Sequence, residues 1–370
     1  MDTFESFTQE LKGKTGQRIK EDTIDRVHTL EDFKKWENYF KDRGLYKEIA
    51  EKEMSEQNIP ALCDFIYTLA QSFPSLSYYF LSKFLFGIFT LKYYASQTQK
   101  AMYLDELIEE DFFATFASKE LEAGFELKRM QTVAKKEGNY WIINGAKEDV
   151  ACTENADLFL LLGKIEVPSE EKEQYGLFLL EKNMVGITSV YNKSKKSEHV
   201  LRTATLSIQN LRVEDEHFLG SLQNRYEVFN QVLDLWNLLL SAQLLGIARG
   251  SFEQALGHAL ETNRFGQRFM DAPYIQQQFA RFKIELEVAE QYYLFTIHQK
   301  EFSTVQVTQL KYKAIEVSQE IINGVLDIFG FATLPPDNVL RRFKSVSESV
   351  KKIGETSDFH LKKISKEWKK

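Results

Sequence analysis

The sequence predicts a multidomain α+β protein: an N-terminal helical domain, a central antiparallel β-barrel or sandwich, and a C-terminal four-helix bundle. Three observations predict it. Breakers are few, with 18 Gly and 6 Pro in 370 residues, and large side chains are many, with 29 Phe and 16 Tyr. That balance favours long helices packed on helices and disfavours a Gly-rich nucleotide-binding fold. The apolar pattern has helical period at both ends of the chain and is alternating or continuously aliphatic between them. No helical pattern joins the middle segments, so their strands are expected to run antiparallel. The boundaries fall at 1–110, 111–221 and 222–370, a length that buries a sizeable core without staples.

The elements follow in order. Apolar residues recur at three- and four-residue spacing in Phe33, Trp36 and Phe40, and again in Tyr78, Leu81, Leu85 and Ile88. Thr29 and Ser75 are expected helix caps and Gly44 a helix stop. The stretch from Leu76 to Tyr94 is apolar on most faces, as in a helix buried between neighbours. In the middle, 140–143, 158–162, 176–180 and 203–208 read as strands, and Glu137-Gly138-Asn139 has the chemistry of a hairpin turn. The run from Asn192 to Ser197 reads as a charged surface loop. Helical period returns near Asn224. Helices are expected over 226–262, 275–299, 304–329 and from Asn338 onward, with Pro335-Pro336 breaking the last two.

Charge and cysteine exclude several functions. With 47 Lys+Arg against 54 Asp+Glu, net charge −7, and the signs interleaved, the chain lacks the basic face that nucleic acid needs. Cys63 and Cys152 are too few for a disulfide framework or a zinc site, which suits a reducing cytoplasm. The polar N-terminus does not resemble a signal peptide. The longest apolar stretch, 233–248, carries Asp234, Asn237, Ser241 and Gln243, so no membrane span is expected. No metal site is expected either, since the six histidines are scattered without ligand spacing.

The common catalytic signatures, among them GxGxxG, the P-loop, HExxH and GxSxG, are absent. Several phrases nonetheless resemble the acyl-CoA dehydrogenase family, in that family's order. They are 94–104, Phe116-Ala117-Ser118-Lys119-Glu120 through Gly124, and Tyr140 through Lys147 with Asn155-Ala156-Asp157-Leu158. Arg202-Thr203-Ala204-Thr205 to Gly220, Leu245-Gly246-Ile247-Ala248, Arg264-Phe265-Gly266, Ile328-Phe329-Gly330 and Thr356-Ser357 continue the series. The resemblance implies FAD held between the β domain and the C-terminal helices, an acyl thioester of coenzyme A or a carrier protein against the flavin, and a homodimer or homotetramer. It implies cofactor contacts at Phe116, Ser118, Lys119, Asp149, Ala151, Arg264, Phe265, Asp327, Gly330, Thr356 and Asp358.

The departures cluster on chemistry. A family Glu normally takes the α proton of the thioester, and its two known positions fall here on Gly354 and Trp236. Glu355, one residue away, is the candidate substitute, with Asp234 a second; one residue on a helix turns a side chain by about 100°. Where the resemblance implies an Arg, a second Gly, a ring-covering Trp and Thr, and a Ser, this chain has Thr262, Phe331, Asp149, Ala151 and Phe125. The expected function is an FAD-dependent oxidoreductase acting on the CH–CH group of an acyl thioester with an atypical active site. The alternatives are a flavin monooxygenase on the same fold and a catalytically degenerate scaffold or binding subunit.

Overall fold

Aromatic and aliphatic side chains at helical spacing give the first third of the chain a layer of helices. The computed structural model describes residues 3–12, 30–53, 58–167, 174–191, 202–264, 266–330, 334 and 338–369. The first helices are α1 (Thr3–Lys12), α2 (Leu30–Asp42), α3 (Leu45–Glu51), α4 (Asn58–Ser72), α5 (Pro74–Ser82), α6 (Thr90–Tyr94) and α7 (Gln97–Glu109). Gly44 separates α2 from α3 at φ 70°, a conformation glycine adopts without penalty. Ser75 does not cap α5. Pro74 takes the first helical position, where its missing N–H costs nothing, and Ser75 is buried in the turn behind it. Thr29 lies outside the described residues. Between α5 and α6 the chain is wound as a π-helix over Lys83–Phe89, a form that recurs at functional sites. Its buried Lys83 is paired with Glu37, which also accepts a hydrogen bond from Tyr46 at 2.8 Å.

The aliphatic runs build a seven-stranded sheet: β1 (Ala114–Ala117), β2 (Val133–Glu137), β3 (Tyr140–Ala151), β4 (Leu158–Glu166), β5 (Gln174–Glu181), β6 (Ile187–Tyr191) and β7 (Thr203–Glu214). The hairpin expected at 137–139 joins β2 to β3, with Glu137 opposite Tyr140 and Gly138 at φ 65°. The sheet is not wholly antiparallel. β1 and β2 both pair with β4 in parallel, while β2–β3, β3–β7, β4–β5 and β6–β7 are antiparallel. Parallel strands need a long crossover, and here the β2–β3 hairpin itself serves as one, returning the chain to β4 without a helix. The loop expected at Asn192–Ser197 lies outside the described residues.

The last part of the chain is helical: α8 (Arg225–Glu261), α9 (Pro273–Ile297), α10 (Thr304–Phe329), α11 (Val339–Lys352) and α12 (Ser357–Ser365). A short ribbon, β8 (Asn263–Arg264) with β9 (Gln267–Arg268), follows α8. The 37 residues of α8 are long and apolar enough to cross a membrane, but 89% of the most apolar window is buried inside the protein. It is the central core helix. Where α8 crosses α4, a Cβ on Gly246 would lie 2.3 Å from the Tyr67 carbonyl oxygen. Gly246→Ala is therefore expected to lower stability by about 1–3 kcal/mol through forced separation of the helices. An unchanged urea midpoint would show that α4 can move away at no cost. Pro335-Pro336 lies outside the described residues.

Candidate functional site

The site begins with an irregularity in β3. The pairing of β3 with β7 shifts register between Ile143 and Gly145 and again between Lys147 and Val150. A bulge lets neighbouring residues turn to one side of a strand that would otherwise alternate. Asp149, at φ 54°, sits in the second bulge, and Glu148 and Asp149 both line one cleft.

The loop after β1 is fastened to that bulge. The Lys119 carbonyl accepts from the Glu148 N–H at 2.7 Å, and the Lys119 ammonium pairs with Asp149 at 2.8 Å. Beneath them lies Lys147, fully buried, donating to the Ser118 carbonyl at 3.1 Å and to Glu120 Oε1 at 2.8 Å. The other donors to the Glu120 carboxylate are the Gln131 and Thr132 N–H groups, at 2.6 and 2.9 Å. Burial pushes Lys147 down to about 8 although Glu120 opposes the shift. Burial alone would raise the Glu120 carboxyl, but Lys147 and these hydrogen bonds hold it below its ordinary value. Glu120 thus anchors the loop from inside.

The cleft opens between this loop, α5, α8 and the turn joining α11 to α12. Its walls are Tyr78, Phe116, Ser118, Lys119, Phe125, Glu148, Asp149, Ala151, Trp236, Lys352, Ile353 and Gly354, around some 300 Å³ of space including the mouth. Trp236 is the hub of its apolar side. The Phe86 ring, from the π-helical turn, lies 5.3 Å from it, Phe116 5.2 Å and Phe125 6.0 Å. The two residues at the positions where the resemblance implies a base, Gly354 and Trp236, meet here. A Cβ on Gly354 would stand 3.7 Å from the Trp236 ring. Neither residue is a carboxylate. The buried indole N–H of Trp236 has no acceptor among the described residues.

Glu355 does not line the cleft, and its surroundings correct the expectation that it is the base. Its side chain turns into the helical bundle, where Asn237 Nδ2 donates to it at 3.2 Å. His360 Nε2 and Lys363 Nζ each lie 3.6 Å away. Burial would raise this carboxyl, yet His360, Lys363 and Asn237 together hold it below the usual range. A base working near neutral pH needs the opposite shift. The second candidate, Asp234, accepts from Thr304 at 2.6 Å and is likewise absent from the cleft walls. Burial raises its carboxyl.

The expected cofactor contacts divide into groups. Phe116, Ser118, Lys119, Asp149 and Ala151 are brought together in the cleft. Thr356 is the exposed N-cap of α12, accepting from the Phe359 N–H at 3.4 Å, and Asp358 is exposed two residues on, in the first turn. The rest belong to the far end of the bundle. Arg264 is in the β8–β9 ribbon, Asp327 is exposed on the last turn of α10, and Gly330 ends that helix at φ 74°. Phe265 and Phe331 lie outside the described residues. Phe329 packs on His258 and Phe269 there, at 4.9 and 5.4 Å. Thr262, the C-cap of α8, follows Trp236 by 26 residues, about 39 Å along the axis. Sequence reasoning missed Tyr78, Glu148, Lys352 and Ile353. For Glu148 the adjacent Asp149 was the available signal, hidden because a regular strand would turn the two apart.

The family model described as "Acyl-CoA dehydrogenase, C-terminal domain" matches residues 226–366. The short/branched chain specific acyl-CoA dehydrogenase, mitochondrial, of Rattus norvegicus is 30% identical over 196 residues, 53% of this chain and 45% of the relative. The chain therefore spans about half the length of the first curated relatives it matches. Among solved structures, a glutaryl-coenzyme A dehydrogenase in complex with glutaryl-CoA superposes with TM-score 0.86 at 19% identity, covering 99% of this chain and 94% of that one. A Mycobacterium smegmatis glutaryl-CoA dehydrogenase in complex with FADH2 superposes with TM-score 0.82 at 18% identity, over 99% and 93%.

Proposed function

We propose that the chain is a member of the acyl-CoA dehydrogenase family and an FAD-dependent oxidoreductase acting on the CH–CH group of an acyl thioester through an atypical active site; the family-model match over 226–366 and the shared fold support this reading. Members of this family bind FAD. The observation that carries the reading is the convergence of Phe116, Ser118, Lys119, Asp149 and Ala151 on one cleft whose apolar side is built from the rings of Phe116, Phe125 and Trp236. The flat ring walls and the Lys119–Asp149 pair at the rim suit the flat, polar-edged tricyclic end of a flavin.

In this reading Phe116, Ser118, Lys119, Asp149 and Ala151 would hold the flavin ring, which would supply an acceptor for the β hydrogen of the thioester as hydride. Tyr78, Phe116 and Phe125 exclude water from the reacting carbons. Lys119 places positive charge beside the ring, balanced by Asp149. Trp236 presents its ring to the ligand from α8. Coenzyme A or a carrier protein bears the acyl group. The test is the absorption spectrum of the purified protein, with and without added FAD. Flavin absorbance that an acyl-CoA or acyl-carrier-protein panel bleaches without oxygen is the expected result. Colourless protein that takes up no FAD would sink the reading.

The 39 Å between the cleft and the Thr262–Gly330 end supports a homodimer or homotetramer. One dinucleotide cofactor is too short to touch both ends of one chain, whereas a second copy places its far end beside the first copy's cleft. Light scattering that finds only monomer, with FAD bound, would refute this arrangement. A cytoplasmic location is consistent with Cys63 and Cys152, both buried free thiols.

A further inference from the structure

The end of α11 and the turn after it give the cleft Lys352, Ile353 and Gly354, and α8 gives it Trp236. Glycine brings no side chain to the contact between these two walls, so dispersion across it is small. The backbone of the turn is spoken for locally. The Ile353 N–H donates to the Val350 carbonyl in α11, and the Thr356 carbonyl accepts from the His360 N–H in α12. Neither bond reaches α8.

The link to α8 lies one residue further on in each wall. Asn237, next to Trp236, and Glu355, next to Gly354, are both buried, and Asn237 Nδ2 donates to Glu355 Oε2 at 3.2 Å. A hydrogen bond to an ionised carboxylate is about twice as strong as a neutral one. On its other side the carboxylate meets α12, with His360 Nε2 3.6 Å from Oε2 and Lys363 Nζ 3.6 Å from Oε1. Lys311 on α10 is fully buried in the same bundle, and its ammonium has no hydrogen-bond partner among the described residues, so it takes no part in this fastening. The two sides do different things. α12 begins two residues after Glu355, so His360 and Lys363 hold the carboxylate to its own segment. Asn237 is 118 residues away in sequence and holds it to a separate element.

We propose that Asn237 is a positioning residue of the cleft: its amide latches the Glu355 carboxylate, and so keeps Gly354 on the α11–α12 turn seated against Trp236 on α8. The consequence for ligand affinity rests on the flavin–thioester reading proposed above, whereas the latch itself does not.

The experiment is therefore done on the full chain without added cofactor, at pH 7. Amide hydrogen exchange of a peptide spanning 348–358 reports opening of the turn. The emission of Trp236, taken as the difference from a matching Trp236→Phe protein, reports whether the indole is still covered. Asn237→Leu keeps the size and removes the donor. Its protection over 348–358 is expected to fall about tenfold or more, the worth of a hydrogen bond to a charged group, and its Trp236 emission to shift to longer wavelength. Asn237→Asp sets two carboxylates face to face and is expected to lose at least as much protection. Adding Glu355→Gln to it exchanges amide and carboxylate across the bond, and is expected to restore protection to within about threefold of the wild type.

An Asn237→Leu protein with wild-type protection overturns the proposal, and so does an exchanged pair no better protected than Asn237→Asp alone. Faster exchange without the emission shift would leave Asn237 a structural residue only and overturns it equally. Should neither single variant fold, the exchanged pair decides alone: folding with wild-type protection supports the latch, and failure to fold overturns it. Failure of the flavin reading shows in the absorption spectrum and leaves both results readable, since neither needs a ligand.

Discussion

Trp236→Glu is expected to raise the rate at which a saturated acyl-CoA bleaches the protein-bound flavin by roughly 10²–10⁴-fold, the usual worth of a positioned general base. The wild type is expected to react slowly, because both places from which the resemblance implies a proton acceptor are apolar. Trp236 lines the cleft from α8, a rigid core helix, and lies against Gly354 on the opposite wall. A carboxylate there faces the same space that the indole now fills. It is flanked by Phe86, Phe116 and Phe125, and such apolar company raises a carboxyl toward the working pH. Gly354→Glu is the weaker choice, since φ 81° strains any side chain. Removing the indole carries a cost. Replacing a large buried aromatic by a small side chain typically loses about 3–5 kcal/mol, so the variant is expected to melt earlier. If the variant retains flavin and shows no faster bleaching, Trp236 does not stand where the proton must be taken.

The fold was legible because its signals are dense. The spacing of Phe33, Trp36 and Phe40, the turn at Gly138 and the helix stop at Gly44 each specify local geometry that nothing distant overrides. The parallel pairing of β1 and β2 with β4 was not legible. Strand direction is a choice of partner, and periodicity carries no information about partners. In the site, Phe116, Ser118, Lys119, Asp149 and Ala151 were found together because consecutive residues on fixed strands keep their company. Glu355 was misplaced for the complementary reason. In the turn after α11, one residue separates Gly354 in the cleft from Glu355 in the bundle. A register count cannot see which way such a turn faces. Lys311 had no sequence signal at all, since a lysine in an amphipathic helix reads as a solvated one until its neighbours are known.

Glu120→Ala is expected to destabilise the protein by about 3–5 kcal/mol at pH 7, the range for breaking a buried ion pair by removing one member. The carboxylate pairs with Lys147 and accepts from the Gln131 and Thr132 N–H groups, and all three donors lose an acceptor at once. The pH dependence separates these contributions. Lys147 falls from 10.5 to about 8 in the folded protein, so the unfolded state binds more protons between those values. Its burial penalty, roughly 3 kcal/mol by linkage, is complete below about pH 8 and is relieved as pH rises toward 10.5. Without Glu120 the folded value drops further, and at pH 7 the variant must give up a proton that the wild type keeps. By pH 9 Lys147 is neutral in both proteins. The destabilisation measured by urea unfolding is therefore expected to shrink between pH 7 and 9, leaving the share of the two orphaned backbone donors. Glu120→Leu combined with Lys147→Met removes both charges, and its stability over that window is expected to change less with pH than the wild type's. A Glu120→Ala penalty that is constant from pH 7 to 9 would mean that Lys147 is already neutral at pH 7. The loop that carries Phe116, Ser118 and Lys119 into the cleft would then be held by neutral hydrogen bonds and not by charge.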